Sequence, residues 1–199
     1  MATEVKTTTR VVRPMKLIGL ICSGIAWILM IVCLASDYWV RSDTVRFYQG
    51  LWNECGKVTD ATPPPTPCTP ISAQGQAYVQ ASAAFIIMSL LLALAGFVLG
   101  LMAFFMDRFR GFYKWAGLVL LVAVLFALIA LIVFPAMFHT ILTEQLSTDP
   151  TALKDRINWE LGWGYGVGWG ASFFLIGAAL LFLFGKDTNE IYETTSYEG

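Results

Sequence analysis

Charged and apolar positions separate into blocks along the chain. Leu17–Ala35 is a run of 19 residues without Asp, Glu, Lys or Arg; Ile71–Met106 is 36, Trp115–Thr143 is 29 and Leu161–Gly185 is 25. A helix that crosses the roughly 30 Å hydrocarbon core of a bilayer needs about 20 apolar residues. The pattern therefore predicts four spans, placed at Leu17–Ala35, Ala81–Met106, Trp115–Phe138 and Trp163–Phe184. A water-soluble four-helix bundle would show charges on its outer faces every few residues. Here the 13 basic and 14 acidic side chains are all expected outside the spans. A signal-peptide core of about 7–15 residues is too short to explain the first span. The second is expected to tilt or to begin beyond the bilayer, because Ala81–Met106 already reaches about 39 Å at about 1.5 Å per residue.

The spans divide the chain into an N-tail (1–16), a four-span domain (17–184) with loops at 36–80 and 139–162, and a C-tail (185–199). Composition agrees with a membrane class: 57% of residues are hydrophobic, 14% are charged and mean hydropathy is +0.65. Soluble domains carry about 25% charged residues. A net charge of −1 leaves no basic footprint for nucleic acid. Lys6, Arg10, Arg13, Lys16, Arg108, Arg110, Lys114 and Lys186 lie on one side of the spans. Arg41, Arg46, Lys57, Lys154 and Arg156 lie in the two longer loops on the other. The positive-inside rule then predicts that both termini are cytoplasmic. Trp39, Tyr113, Trp115, Trp163 and Tyr165 sit near span ends, where amphipathic rings favour the headgroup layer.

Two of the four cysteines, Cys55 and Cys68, fall in the first long loop, and such a pair in an oxidising compartment reads as a disulfide. Between them lies Thr62-Pro63-Pro64-Pro65-Thr66-Pro67, a stiff tip that resists helix and central strand. Before them, Thr44–Trp52 is rich in β-branched and aromatic residues and reads as strand. Phe47, Leu51 and Trp52 are expected to be buried against the helix ends, and Gly50 to supply backbone freedom for a bend. Cys22 and Cys33 lie within the first span. Cys22 is a candidate for S-palmitoylation, with buried packing as the alternative.

In chain order, Trp39, Gly50-Leu51-Trp52, Cys55 and Cys68 resemble the first-loop signature of the claudin superfamily: Trp, then Gly-Leu-Trp-x-x-Cys, then Cys. Glu160-Leu161-Gly162 followed by Gly168-Trp169 resembles the same superfamily's entry to its fourth span. The wider run from Asn158 to Ala171, with Arg110–Lys114 and Phe134-Pro135, is similar to the branch that holds transmembrane protein 47 and PERP, within the claudin and peripheral myelin protein 22 superfamily. The resemblance implies an all-α membrane bundle of four helices with a small extracellular antiparallel β-sheet, one strand coming from the second loop. It implies no catalysis and no cofactor.

Chemistry-bearing patterns agree with that. The single histidine, His139, has no HExxH companion, and no Walker, dinucleotide or Gly-x-Ser-x-Gly pattern is present. The spans carry no ionisable pathway of the kind transporters use. Glycines 162, 164, 166, 168 and 170 read as a helix with 162/166/170 on one small-residue face. Gly96 and Gly100 are expected to pack within the bundle. Two function classes follow from the resemblance. One is a plasma-membrane protein of cell–cell or tight junctions that organises adhesion or a paracellular barrier, with itself or claudin-like proteins as partners in cis or trans. The other is an auxiliary subunit that modulates trafficking or gating of a channel or receptor. A PDZ groove wants an apolar last side chain, and Ser196-Tyr197-Glu198-Gly199 argues against docking on such a scaffold. Contact with a partner is expected from Asp60–Pro67 and Thr148–Arg156.

Overall fold

The computed structural model describes residues 10–12, 14–42, 47–56, 68–71, 76–106, 111–148, 159–185 and 190–192. Four long helices dominate: α1 (Pro14–Ala35), α2 (Ala77–Phe105), α3 (Phe112–Thr148) and α4 (Trp163–Phe184). All four are long and apolar enough to cross a membrane, and the chain is a multi-pass membrane protein. The helix ends differ from the expected spans in instructive ways. Proline is tolerated in a first helical turn because its missing N–H has no helical partner there, so α1 starts at Pro14 and takes in Lys16. α2 starts at Ala77, four residues before the expected span. α3 continues past Phe138 to Thr148, so the segment expected to be loop from His139 begins as helix.

Lipid tails are as apolar as leucine, so helices in a bilayer associate through close packing and hydrogen bonds. Small residues supply the close approach here. A methyl on Gly96 would lie 2.6 Å from Leu120 of α3, and one on Gly100 would lie 2.9 Å from Phe182 of α4. Gly19 of α1 meets the same Phe182 ring. Ser89 donates to the Ala123 carbonyl of α3 at 2.8 Å. The glycine face expected on α4 is placed differently: Gly164 and Gly168 pack inward, whereas Gly166 and Gly170 have nothing within 4 Å. The reason is the phase of the helix, whose buried stripe runs through Gly164, Gly168, Ala171 and Leu175.

Pro135 lies inside α3 and cannot donate to the carbonyl four residues earlier. That carbonyl belongs to Leu131, and the Tyr165 hydroxyl of α4 donates to it at 2.9 Å. Tyr165, Tyr113 and Trp39 are buried within the fold. Trp115 and Trp163 are exposed. At the tail end, Lys16 is also buried: its ammonium donates to the Phe182 carbonyl at 3.0 Å and lies 5.1 Å from the centre of the Tyr113 ring. A basic group is favoured at the carbonyl end of a helix, and the long stem lets it reach there from within the first turn of α1.

The described residues also form seven short strands: β1 (Arg10–Val12), β2 (Val40–Ser42), β3 (Phe47–Gln49), β4 (Asn53–Cys55), β5 (Cys68–Pro70), β6 (Glu160–Leu161) and β7 (Glu190–Tyr192). Five form one antiparallel sheet in the order β5-β4-β3-β2-β6. Four of its strands come from the first loop and one from the second. β1 and β7, from the two tails, pair at the opposite end.

Candidate functional site

The five-stranded sheet is the best-organised surface outside the helices. Its register aligns Glu160, Arg41, Tyr48, Cys55 and Cys68 in one row across all five strands. Directly opposite residues share a face, and alternate residues along a strand point to opposite faces. Arg41 and Glu160 are exposed and their side chains approach to 3.4 Å. The Tyr48 hydroxyl lies 3.8 Å from the Cys68 sulfur. Tyr38 stacks on Tyr48 with ring centroids 4.7 Å apart, and Trp163 lies 6.2 Å beyond Tyr38. This row thus carries an ion pair, an aromatic stack and the Cys55–Cys68 disulfide, in which Cys68 is exposed and Cys55 buried and the S–S distance is 2.01 Å.

The opposite row faces the helix ends. Val40, Gln49 and Glu54 are buried there. The Gln49 amide donates to the Gln76 side-chain oxygen at 3.0 Å, and the Gln76 amide donates to Glu54 at 3.1 Å. Tyr78, one residue into α2, donates to the same Gln76 oxygen at 3.3 Å. Asn53 donates to Asp37, just past α1, at 3.3 Å. Buried polar groups need such partners, and these partners tie β3 and β4 to the ends of α1 and α2. The sequence reading missed Gln49, Glu54, Gln76 and Tyr78. Only Gln49 carried a signal, as a polar side chain alternating with the buried Phe47; the others depend on strand register and on where α2 begins.

Two indoles close the end of α1. The last carbonyls of a helix lack helical donors. Trp39 Nε1 donates to Cys33 O at 2.9 Å and Trp52 Nε1 donates to Leu34 O at 2.8 Å. Trp39 is wholly buried, edge-on to Phe134 at 4.9 Å and to Tyr165 at 5.9 Å. Phe47 and Leu51 are buried as expected, but the Trp52 ring is 45% exposed. It earns its position by its N–H rather than by burial.

Gly50 acts through space rather than through backbone freedom. A methyl there would lie 2.6 Å from the Asp37 Cα, whereas the only left-handed glycine among the described residues is Gly56. Gly162 is similar: a methyl would run into the Tyr38 carbonyl, and its N–H donates to Trp39 O at 2.9 Å. Gly168 lies against Cys33 and Leu131, and Trp169 is half-buried beside Tyr165. Glu160 and Leu161 are exposed on β6. Cys22 is half-buried on α1, about 12 Å in from Pro14 at about 1.5 Å per residue. Asp60–Pro67 and all of Thr148–Arg156 except Thr148 lie outside the described residues. Among the described residues no three His, Cys, Asp or Glu side chains converge on a metal-sized site. Gly162→Ala is expected to cost about 1–3 kcal/mol by forcing β6 from β2. Thermal unfolding in detergent checks this, and Gly166→Ala, in open space, should leave the midpoint unchanged.

Four membrane-length helices capped at one end by a disulfide-closed antiparallel sheet define a claudin-like tetraspan membrane protein. The chain belongs to the PMP-22/EMP/MP20/Claudin family, whose pattern it matches over residues 13–182. It is 28% identical over 177 residues to the lens fiber membrane intrinsic protein of Homo sapiens, covering 83% of this chain and 87% of that one. It is also 28% identical over 154 residues to the p53 apoptosis effector related to PMP-22 of Danio rerio, covering 77% and 74%.

Proposed function

We propose that this chain is a non-catalytic structural protein of plasma-membrane cell–cell contacts, with the sheet outside and both tails in the cytoplasm. The observation that supports it most is the way the sheet is held. Gln49 and Glu54 of its inner row are hydrogen-bonded through Gln76 to the start of α2, Asn53 is bonded to Asp37 past the end of α1, and its outer row presents Arg41, Tyr48 and Glu160. An exposed surface fixed directly on the helix ends suits contact with a neighbouring protein, whether a second copy or a claudin-like relative in the same or the facing membrane. Lys and Arg are denser near the tail end, which supports the orientation. The bilayer is the remaining partner, and Cys22 is a candidate acylation site.

Mixed culture tests this reading. Expressing and non-expressing epithelial cells are grown to confluence and the tagged chain is imaged. Enrichment at borders over free edges is the expected result, with a change in transepithelial resistance when every cell expresses it. Equal density at borders and free edges would overturn the proposal.

A further inference from the structure

β1 and β7 bring the two tails together with Arg10 opposite Tyr192, Val11 opposite Ile191 and Val12 opposite Glu190. The segments have opposite character. By sequence, the N-tail is basic, with Lys6, Arg10 and Arg13, and the C-tail is acidic, with Asp187, Glu190, Glu193 and Glu198. Two strands alone are marginal in water, so this pairing lies near balance and one added charge can shift it. Glu190 lies two residues before Tyr192 in the same strand, Glu193 follows it in sequence, and Arg10 is the register position directly across.

We propose that Tyr192 is a site for a tyrosine kinase, and that a phosphate there, opposite Arg10, locks the two tails together. The inference rests on the cytoplasmic placement of the tails, where ATP is available. The Tyr192 phenol oxygen bonds to the γ-phosphorus of ATP, the bond to the β,γ-bridging oxygen breaks, ADP leaves and the phenol proton passes to solvent. The unpaired form of so weak a ribbon supplies the extended substrate. The phosphate adds a charge of about −1.5 to −2, which meets a basic register position only when the strands are paired. The linkage is reciprocal, so pairing also retards removal of the phosphate where the phosphatase needs the open strand. Phosphorylation then withholds the C-tail from cytoplasmic partners.

The test uses the full chain in lipid nanodiscs. Val11→Cys and Ile191→Cys occupy opposite positions, and their disulfide cross-linking under mild oxidation reports pairing; Val11→Cys with Thr195→Cys is the off-register control. A tyrosine kinase domain with ATP modifies the chain, and mass spectrometry locates the phosphate. The expected result is modification of Tyr192 and about a threefold rise in cross-linking, the scale of one exposed ion pair. Arg10→Ala should remove the rise. Failure to modify Tyr192, an unchanged or lower rate after modification, or equally fast off-register cross-linking would each overturn the proposal. Labelling of Val11→Cys in intact cells with a membrane-impermeant maleimide separates the orientation: reaction from outside sinks the cytoplasmic placement, whatever the cross-linking shows.

Discussion

Trp39→Ala should destabilise the chain by about 3–5 kcal/mol, the range for truncating a fully buried aromatic. The indole is wholly enclosed, contacts Phe134 of α3 and Tyr165 of α4, and donates to a carbonyl at the end of α1. Its removal opens a cavity where three helices and the sheet meet. Melting in detergent should fall by about 10 °C for a chain of this size, and surface biotinylation should show retention inside the cell. A midpoint within about 2 °C of the parent would refute the role. Trp52 provides the contrast. Its ring is half-exposed, so Trp52→Ala should be milder than Trp39→Ala. Trp52→Phe, which removes only the N–H to Leu34, should cost about 1 kcal/mol.

Cys55→Ser should have the next largest effect. The bond joins β4 to β5 across a sequence separation of 13 residues. Closing a loop of that size contributes about 3 kcal/mol in the chain-entropy account. With the sheet outside the cell, as proposed above, the single variant leaves the Cys68 thiol unpaired in an oxidising compartment, so a disulfide-linked dimer is expected on a non-reducing gel. Cys55→Ser with Cys68→Ser should lose the dimer and keep the lower melting temperature. A single variant that stays monomeric and melts with the parent would show that the sheet does not depend on the bond.

The four spans were legible because lipid enforces a simple rule: about 20 residues without charge. Helix ends were less so. Lys16 looked like tail because it is charged, yet its stem lets the head reach the Phe182 carbonyl from inside α1. His139–Thr148 looked like loop because polar residues return there, yet helix continues after apolar periodicity has ended. The glycines of α4 were visible as small residues, but the phase of the buried stripe depends on what α1 and α3 present. Around the sheet, the ordered Trp, Gly-Leu-Trp and Cys positions marked the region. The buried Gln49–Gln76–Glu54 chain did not stand out, since it depends on strand register and on where α2 begins.

The Pro135–Tyr165 arrangement has a mechanical consequence. A proline in a helix normally makes a hinge, because one rung of the ladder is missing and the segment beyond it can swing. Here the missing rung is replaced from outside, by a hydroxyl on α4. The part of α3 up to Leu131 is thereby latched to α4, and the two cannot part there without losing a buried hydrogen bond. Any bending of α3 at Pro135 is thus borne by the turns beyond Leu131, while the latch holds the preceding part against α4.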